Sequence, residues 1–295
     1  MTDAATVEST PLNRPQRLRI ACAIGWVVLL TMAFVQPLTT LIRESLDSPL
    51  NSYIVLVPFV SGYLLYLRRR ALPTVFRNSV GPALGMCGVG ALALIATTTG
   101  TATLSMNDRL SLMTFAYVSA IAAGGFLILG SRWMAAAAFP LAFLFFIVPL
   151  PDAAVHGIER ASVLASADVS EMLFRMTGTP LLRDGTFFVL PGIVLEIARE
   201  CSGIHSSWVL FITSLVAAQL FVRSPWRRLI IVAFVLPLAI VRNSVRIVTI
   251  GLLCVHIGPH MIDSWIHRRG GPIFFALSLG PLFLLLLWMR HAERR

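Results

Sequence analysis

Leu229-Ile-Ile-Val-Ala-Phe-Val-Leu-Pro-Leu-Ala-Ile-Val-Arg-Asn-Ser-Val-Arg-Ile-Val-Thr-Ile-Gly-Leu252 is an almost unbroken apolar run of 24 residues. A bilayer core of about 30 Å needs only about 20 such residues in a helix. Seven further runs of this kind lie on either side, at roughly 20–42, 51–67, 79–99, 110–130, 133–150, 203–222 and 271–289, those at 51–67 and 133–150 being the shortest. The expected fold is an all-α integral membrane protein with about eight transmembrane helices. It is expected as one membrane domain, residues 20–290, between a cytoplasmic tail at 1–19 and a second at 291–295. The first run is too long for a signal peptide and has no clear cleavage site, so it is read as a retained helix.

Composition agrees with this. The chain has 295 residues, 57% hydrophobic and 13% charged, with a mean hydropathy of +0.80, against about 25% charged residues in soluble domains. All 24 basic residues are arginine. They are scattered among the apolar runs, not gathered in a stripe, which argues against nucleic-acid binding. The positive-inside bias sets the expected orientation. With the N-terminus inside, fourteen arginines fall on inner segments and eight on outer ones, while Arg242 and Arg246 lie within a span; 11 of the 14 acids fall outside. The expected topology is therefore N-in, C-in, in a bacterial inner membrane.

The longest outer segment is 151–202. From Asp152 to Met176 it reads as an amphipathic helix lying along the membrane surface, with Ala165, Val169, Met172 and Met176 on one stripe. Thr186–Leu190 and Ile193–Ile197, flanking Pro191-Gly192, read as a small β-hairpin. The hairpin runs into Glu200-Cys201-Ser202-Gly203-Ile204, at the outer end of the sixth apolar run. Cys22, Cys87 and Cys254 sit in apolar stretches and are expected as small buried hydrophobes. Only Cys201 has charged neighbours.

A thiol reacts as thiolate, and a helix N-terminus or nearby cation favours that form. Cys201 stands beside an expected helix start. Arg246 is 17 residues past Leu229, about 26 Å along a helix, so it should lie near the outer edge of the hydrocarbon. His267 precedes the last span on the same side. A histidine can pass a proton to a leaving amine, and an arginine can hold an oxyanion or carboxylate. Taken alone, Cys201 is more often structural and His267 more often an ordinary loop residue, whereas an arginine inside a membrane is functional by default. Arg242, one turn from Arg246, competes with it. Arg242, Glu200 and His205 are candidates for contacting substrate; His256 and His260 are rivals for the histidine role. Asp184, Glu196 and Asp263 read as solvated outer carboxylates. The sequence has neither H-E-x-x-H nor G-x-S-x-G, nor paired intramembrane aspartates, so no metal and no cofactor are expected. A competing function is an anion or polysaccharide-export transporter or scaffold, in which Arg242 and Arg246 bind an anion and Cys201 is dispensable.

Glu200-Cys-Ser-Gly-Ile-His-Ser206, Asn243-Ser-Val-Arg246 and His267 before Gly270-Gly271 resemble the signature of the exosortase/archaeosortase family of polytopic membrane cysteine transpeptidases. Leu56-Val57-Pro58, Arg68-Arg69-Arg70, Phe146-Ile-Val-Pro-Leu-Pro151 and Arg183-Asp-Gly185 leading to Leu190-Pro191 support it, over about residues 50–285. The resemblance implies a site of Cys201, Arg246 and His267 on the extracytoplasmic face. Its expected substrates are exported proteins with a C-terminal motif, a transmembrane helix and a basic tail. Cleavage would pass through a thioester at Cys201, with transfer to a glycan or lipid acceptor of the cell envelope. Membrane lipids are the remaining expected partners. The Arg199-Glu200 pair before the cysteine and the Arg268-Arg269 pair after the histidine depart from the family pattern, which implies a divergent subfamily with its own sorting motif.

Overall fold

The structure, a computed structural model, describes residues 14–47, 49–99, 104–197, 204–265 and 270–293. The chain divides into two compact units between Asp152 and Ala153.

The first unit contains α1 (Arg14–Ala33), α2 (Val35–Asp47), a 3-10 segment (Pro49–Leu56), α3 (Val57–Arg68), α4 (Val80–Thr99), α5 (Met106–Ile128), α6 (Ser131–Ala136) and α7 (Ala138–Leu144). Helices α4 and α5 pack closely through small residues. A Cβ on Gly90 would stand 3.3 Å from Ser119 Cβ and 3.4 Å from the Ala116 carbonyl. In lipid, close approach and dispersion take over the role that hydrophobic burial plays in water. Leu30, Tyr117 and Val118 form a small core where α1 meets α5. The first turn of α5 is capped by Ser105, whose hydroxyl accepts from Asp108 N at 3.0 Å. That end also holds the Pro149–Pro151 segment: Asn107 donates to the Leu150 carbonyl and Ser111 to the Pro149 carbonyl, both at 2.8 Å.

The second unit contains α8 (Asp152–Met176), strands β1 (Leu182–Asp184), β2 (Phe187–Leu190) and β3 (Ile193–Glu196), then α9 (Ile204–Phe221), α10 (Pro225–His256), a 3-10 turn (Pro259–Asp263) and α11 (Gly271–Ala292). The strands form an antiparallel sheet in the order β1-β2-β3. The β2–β3 turn is Pro191-Gly192, with Gly192 at φ +81°, as a two-residue turn with proline first and glycine second requires. The expected hairpin is therefore present, with β1 added beside it. Residues Arg223 and Ser224 immediately precede α10, and their backbone N–H groups donate to the Glu293 carboxylate at 2.7–3.1 Å. A carboxylate at a helix start satisfies orphan donors and complements the dipole.

Six described helices, α1, α4, α5, α9, α10 and α11, are long and apolar enough to cross a membrane, or seven if 138–147 and 152–176 count as one bent span. The fold class is as expected; the count of about eight is not. The two shortest runs break at prolines. Pro58 stands in the first turn of α3, a 12-residue helix of about 18 Å. Pro140 cannot donate to the Ala136 carbonyl, and α6 and α7 separate at Ala137. Arg68 Nη1 donates to that carbonyl at 3.2 Å instead, and Ser61 to the Pro140 carbonyl at 2.6 Å. Pro37 likewise accompanies the break between α1 and α2.

One expectation about burial is corrected, and the α8 stripe is found facing outward. Of the three described cysteines, Cys22 and Cys87 are exposed and Cys254 is buried, at 2%. On a membrane protein the outer surface is itself apolar, so a small apolar side chain need not face the core. On α8 the buried stripe is Val163, Ser166, Ala167, Ser170 and Phe174. The expected stripe lies on the opposite face, where Met172 and Met176 are 54% and 76% exposed.

Candidate active site

Helix α10 has 32 residues, about 48 Å, well beyond a hydrocarbon core of about 30 Å. Its two parts pack differently. Ile231 and Val235 join Leu210 and Ala218 of α9 and Leu282, Leu286 and Met289 of α11 in one apolar cluster. Ile247 and Val248 join Val163, Ala167 and Phe174 of α8 and Phe188, Leu190 and Leu195 of the sheet in another. At Gly251 the approach is so close that a Cβ would stand 2.5 Å from Phe174 Cζ. The polar segment Arg242-Asn243-Ser244-Val245-Arg246 sits between the two clusters.

Asn243, Ser244 and Arg242 of this segment are held by hydrogen bonds. Asn243, 3% exposed, donates from Nδ2 to Ser166 Oγ at 3.1 Å. The buried Ser244 hydroxyl lies 3.1 Å from the Ser166 carbonyl and 2.9 Å from the Ile240 carbonyl. The two bonds to Ser166, from Asn243 and from Ser244, fasten α10 to α8. Arg242, 8% exposed, donates from Nη2 to the Ser207 hydroxyl at 3.0 Å, which fastens α10 to the first turn of α9. Arg246 is half-buried, one turn on from Arg242 and on the same side of the helix. The Asn-x-x-Arg spacing thus places one residue on the α8 contact and the arginine near the α9 side.

His205 stands in the first turn of α9, half-buried, and its Nδ1 is buried with no hydrogen-bond partner among the described residues. Trp208 stacks on Phe211 with ring centroids 5.4 Å apart. His256 ends α10, ten residues and about 15 Å past Arg246, so it does not share the arginine's level. His260 lies in the 3-10 turn that follows and folds against Gly258. Asp184 and Glu196 are exposed on the sheet, as solvated carboxylates should be.

Glu200, Cys201 and His267 lie outside the described residues, as does the Ser202-Gly203 helix start. Of the expected site residues, Arg242, Arg246 and His205 are described, on α10 and the facing start of α9. Ser207 and Ser166 are contacts that sequence reasoning missed. They are 35 and 77 residues from their partners, and no local pattern pairs them.

Helix α8 and strand β1 are braced by one arginine. Arg183 of β1 reaches Asp168 at 2.8 Å and Glu171 at 2.9 Å on α8, and its Nε donates to the Gly185 carbonyl at 2.9 Å. The Arg183 hydrogen bond, aided by Arg175, holds the Glu171 carboxyl below its ordinary range.

The family model for transmembrane exosortase matches residues 44–284. No match was found among curated proteins or among solved structures.

Proposed function

The chain belongs to the transmembrane exosortase family, membrane-embedded sorting transpeptidases that act on exported proteins with a C-terminal sorting signal; on that footing we propose that Cys201, Arg246 and His267 form its catalytic site. The Cys201 thiolate attacks the carbonyl carbon of the scissile peptide. A C–S bond forms and the carbonyl electrons move to oxygen. Arg246 holds that oxyanion with its planar fork. On collapse the C–N bond breaks and the leaving amine takes a proton from His267. A thioester remains at Cys201. Water or an acceptor amine then adds to it, and the thiolate leaves.

The observation that carries this reading is the Arg242–Ser207 hydrogen bond. It ties the Asn-x-x-Arg segment to the first turn of the helix that the Cys201 motif leads into. His205 in the same turn and Glu200 are the further residues proposed to contact substrate. The orientation we favour is N-in, C-in in a bacterial inner membrane, with the site on the extracytoplasmic side. Helix α8 and the sheet would then lie on that side as well.

The test is co-expression with a C-terminally anchored protein from the same genome, and mass spectrometry of its new C-terminus. Cys201→Ala is expected to accumulate normally and to leave the substrate uncut. Full processing by both Cys201→Ala and Cys201→Ser would sink the assignment. A transporter using Arg242 and Arg246 would tolerate both substitutions.

A further inference from the structure

The first unit contains a cavity of about 560 Å³, walled by apolar side chains that include Ile24 and Val28 of α1, Leu65 of α3, Ile121 of α5 and Leu141 of α7. Ile24 and Val28 are 60% and 48% exposed, so the cavity opens on the outer, lipid-facing side of α1. An apolar space of this kind does not hold water well. A single hydrocarbon chain suits the shape and chemistry.

One end of the cavity is cationic. Among the described residues, Arg69 is the only charged one in its wall, and Trp133 lines it too. The Arg69 guanidinium lies 3.7 Å from the centroid of the Tyr66 ring. Arg69 and Arg70 are exposed and make no ion pair among the described residues. The described carboxylates of this unit stand elsewhere: Glu44 and Asp47 on α2, Asp108 and Asp152 around the start of α5. Arg68 and Arg19 add charge nearby. Arg19 Nη1 donates to Asn78 Oδ1 at 2.9 Å and to the Ile128 carbonyl at 3.1 Å, and Gln16 donates to the Thr74 carbonyl at 2.9 Å. These bonds pin the loop that closes this end. Aromatic rings and arginines at one end of an apolar slot match a lipid, whose phosphate sits at the interface and whose tail sits below.

The geometry points to a binding site for one anionic glycerophospholipid, with an acyl chain in the cavity and the phosphate on Arg69 and Arg70. Its lining residues all belong to the first unit, and none is among the catalytic residues proposed above. It is tested on the full-length protein in mild detergent by native mass spectrometry, with palmitoyl-oleoyl phosphatidylglycerol or the corresponding phosphatidylcholine. One phosphatidylglycerol should remain bound under activation that strips further lipid. The preference over phosphatidylcholine should fall about fivefold for each of Arg69→Gln and Arg70→Gln. Leu141→Trp, which fills the cavity, should lower retention of both lipids; if it does not accumulate, the arginine variants decide. Equal retention of the two lipids, or an unchanged preference in the doubly substituted protein, overturns the proposal. So does thermal stabilisation by inorganic phosphate alone equal to that by phosphatidylglycerol, which would mark an anion site without a lipid tail.

Discussion

Arg242 donates to the hydroxyl of Ser207 at 3.0 Å, joining residues 35 apart in the chain. The bond sets the distance between α10, which carries Arg246, and the start of α9, into which the Cys201 motif leads. A guanidinium this buried holds its direction only while its acceptors stay in place.

Ser207→Ala removes one of those acceptors. Hydrogen bonds to charged groups contribute about 1.5–3 kcal/mol, so processing of a sorting-signal substrate should fall at least about tenfold. Accumulation in the membrane should not change. A wild-type cleavage rate would show that Arg242 is held without Ser207.

Arg246→Lys keeps the charge but loses the planar fork. If Arg246 steadies the oxyanion, kcat should fall about 100-fold, close to the loss in Arg246→Ala, with KM little altered. Activity in the lysine variant near that of the parent would mean that charge alone suffices.

Gly251→Ala puts a Cβ where Phe174 Cζ would be 2.5 Å away, and Phe174 is fully buried. Overpacking of this kind costs about 1–3 kcal/mol. The melting temperature in detergent should drop, and Phe174→Leu in the same chain should restore part of it. No drop would mean that α8 and α10 separate readily at this point.

The clamp from Arg183 to Glu171 predicts a pH dependence. The Glu171 carboxyl is held below its ordinary value of 4.5, first by the hydrogen bond from Arg183. The folded state therefore favours the ionised form. The contribution is fully present above the ordinary value and is lost as pH falls through the lowered one. Melting temperature should decline with acid in the parent, and Arg183→Gln should flatten the part of that decline due to Glu171. Parallel pH curves for the two proteins would discount the clamp.

The outward apolar stripe of α8 bears on where that helix lies. Cysteines introduced at Met172 and Met176 and labelled with a fluorophore should be quenched by lipid-soluble quenchers, and one at Arg160 by aqueous ones. Aqueous quenching at all three sites would place this face of α8 in water.

Much of the architecture is legible in local sequence. Six of the eight apolar runs contain a helix long enough to span, and Pro191-Gly192 makes the expected turn. Helix α8 ends at Met176, as its pattern predicts. The broken runs were less legible. Pro140 signals a break, but nothing near it in sequence shows that Arg68 supplies the missing donor.

Hydrophobic length and turn chemistry are properties of neighbouring residues, so the chain alone determined the membrane class, the span positions and the pairing of β2 with β3. The motif residues Cys201, Arg246 and His267 were likewise chosen from sequence, and the family match covers all three positions. Tertiary structure decided which face of α8 is buried, and which serines meet Asn243 and Arg242. The reason is that lipid and protein interior are both apolar, so hydrophobic pattern does not separate an outward face from an inward one in a membrane protein. Only packing does so, and packing alone brought Ser166 and Ser207 to the polar segment of α10.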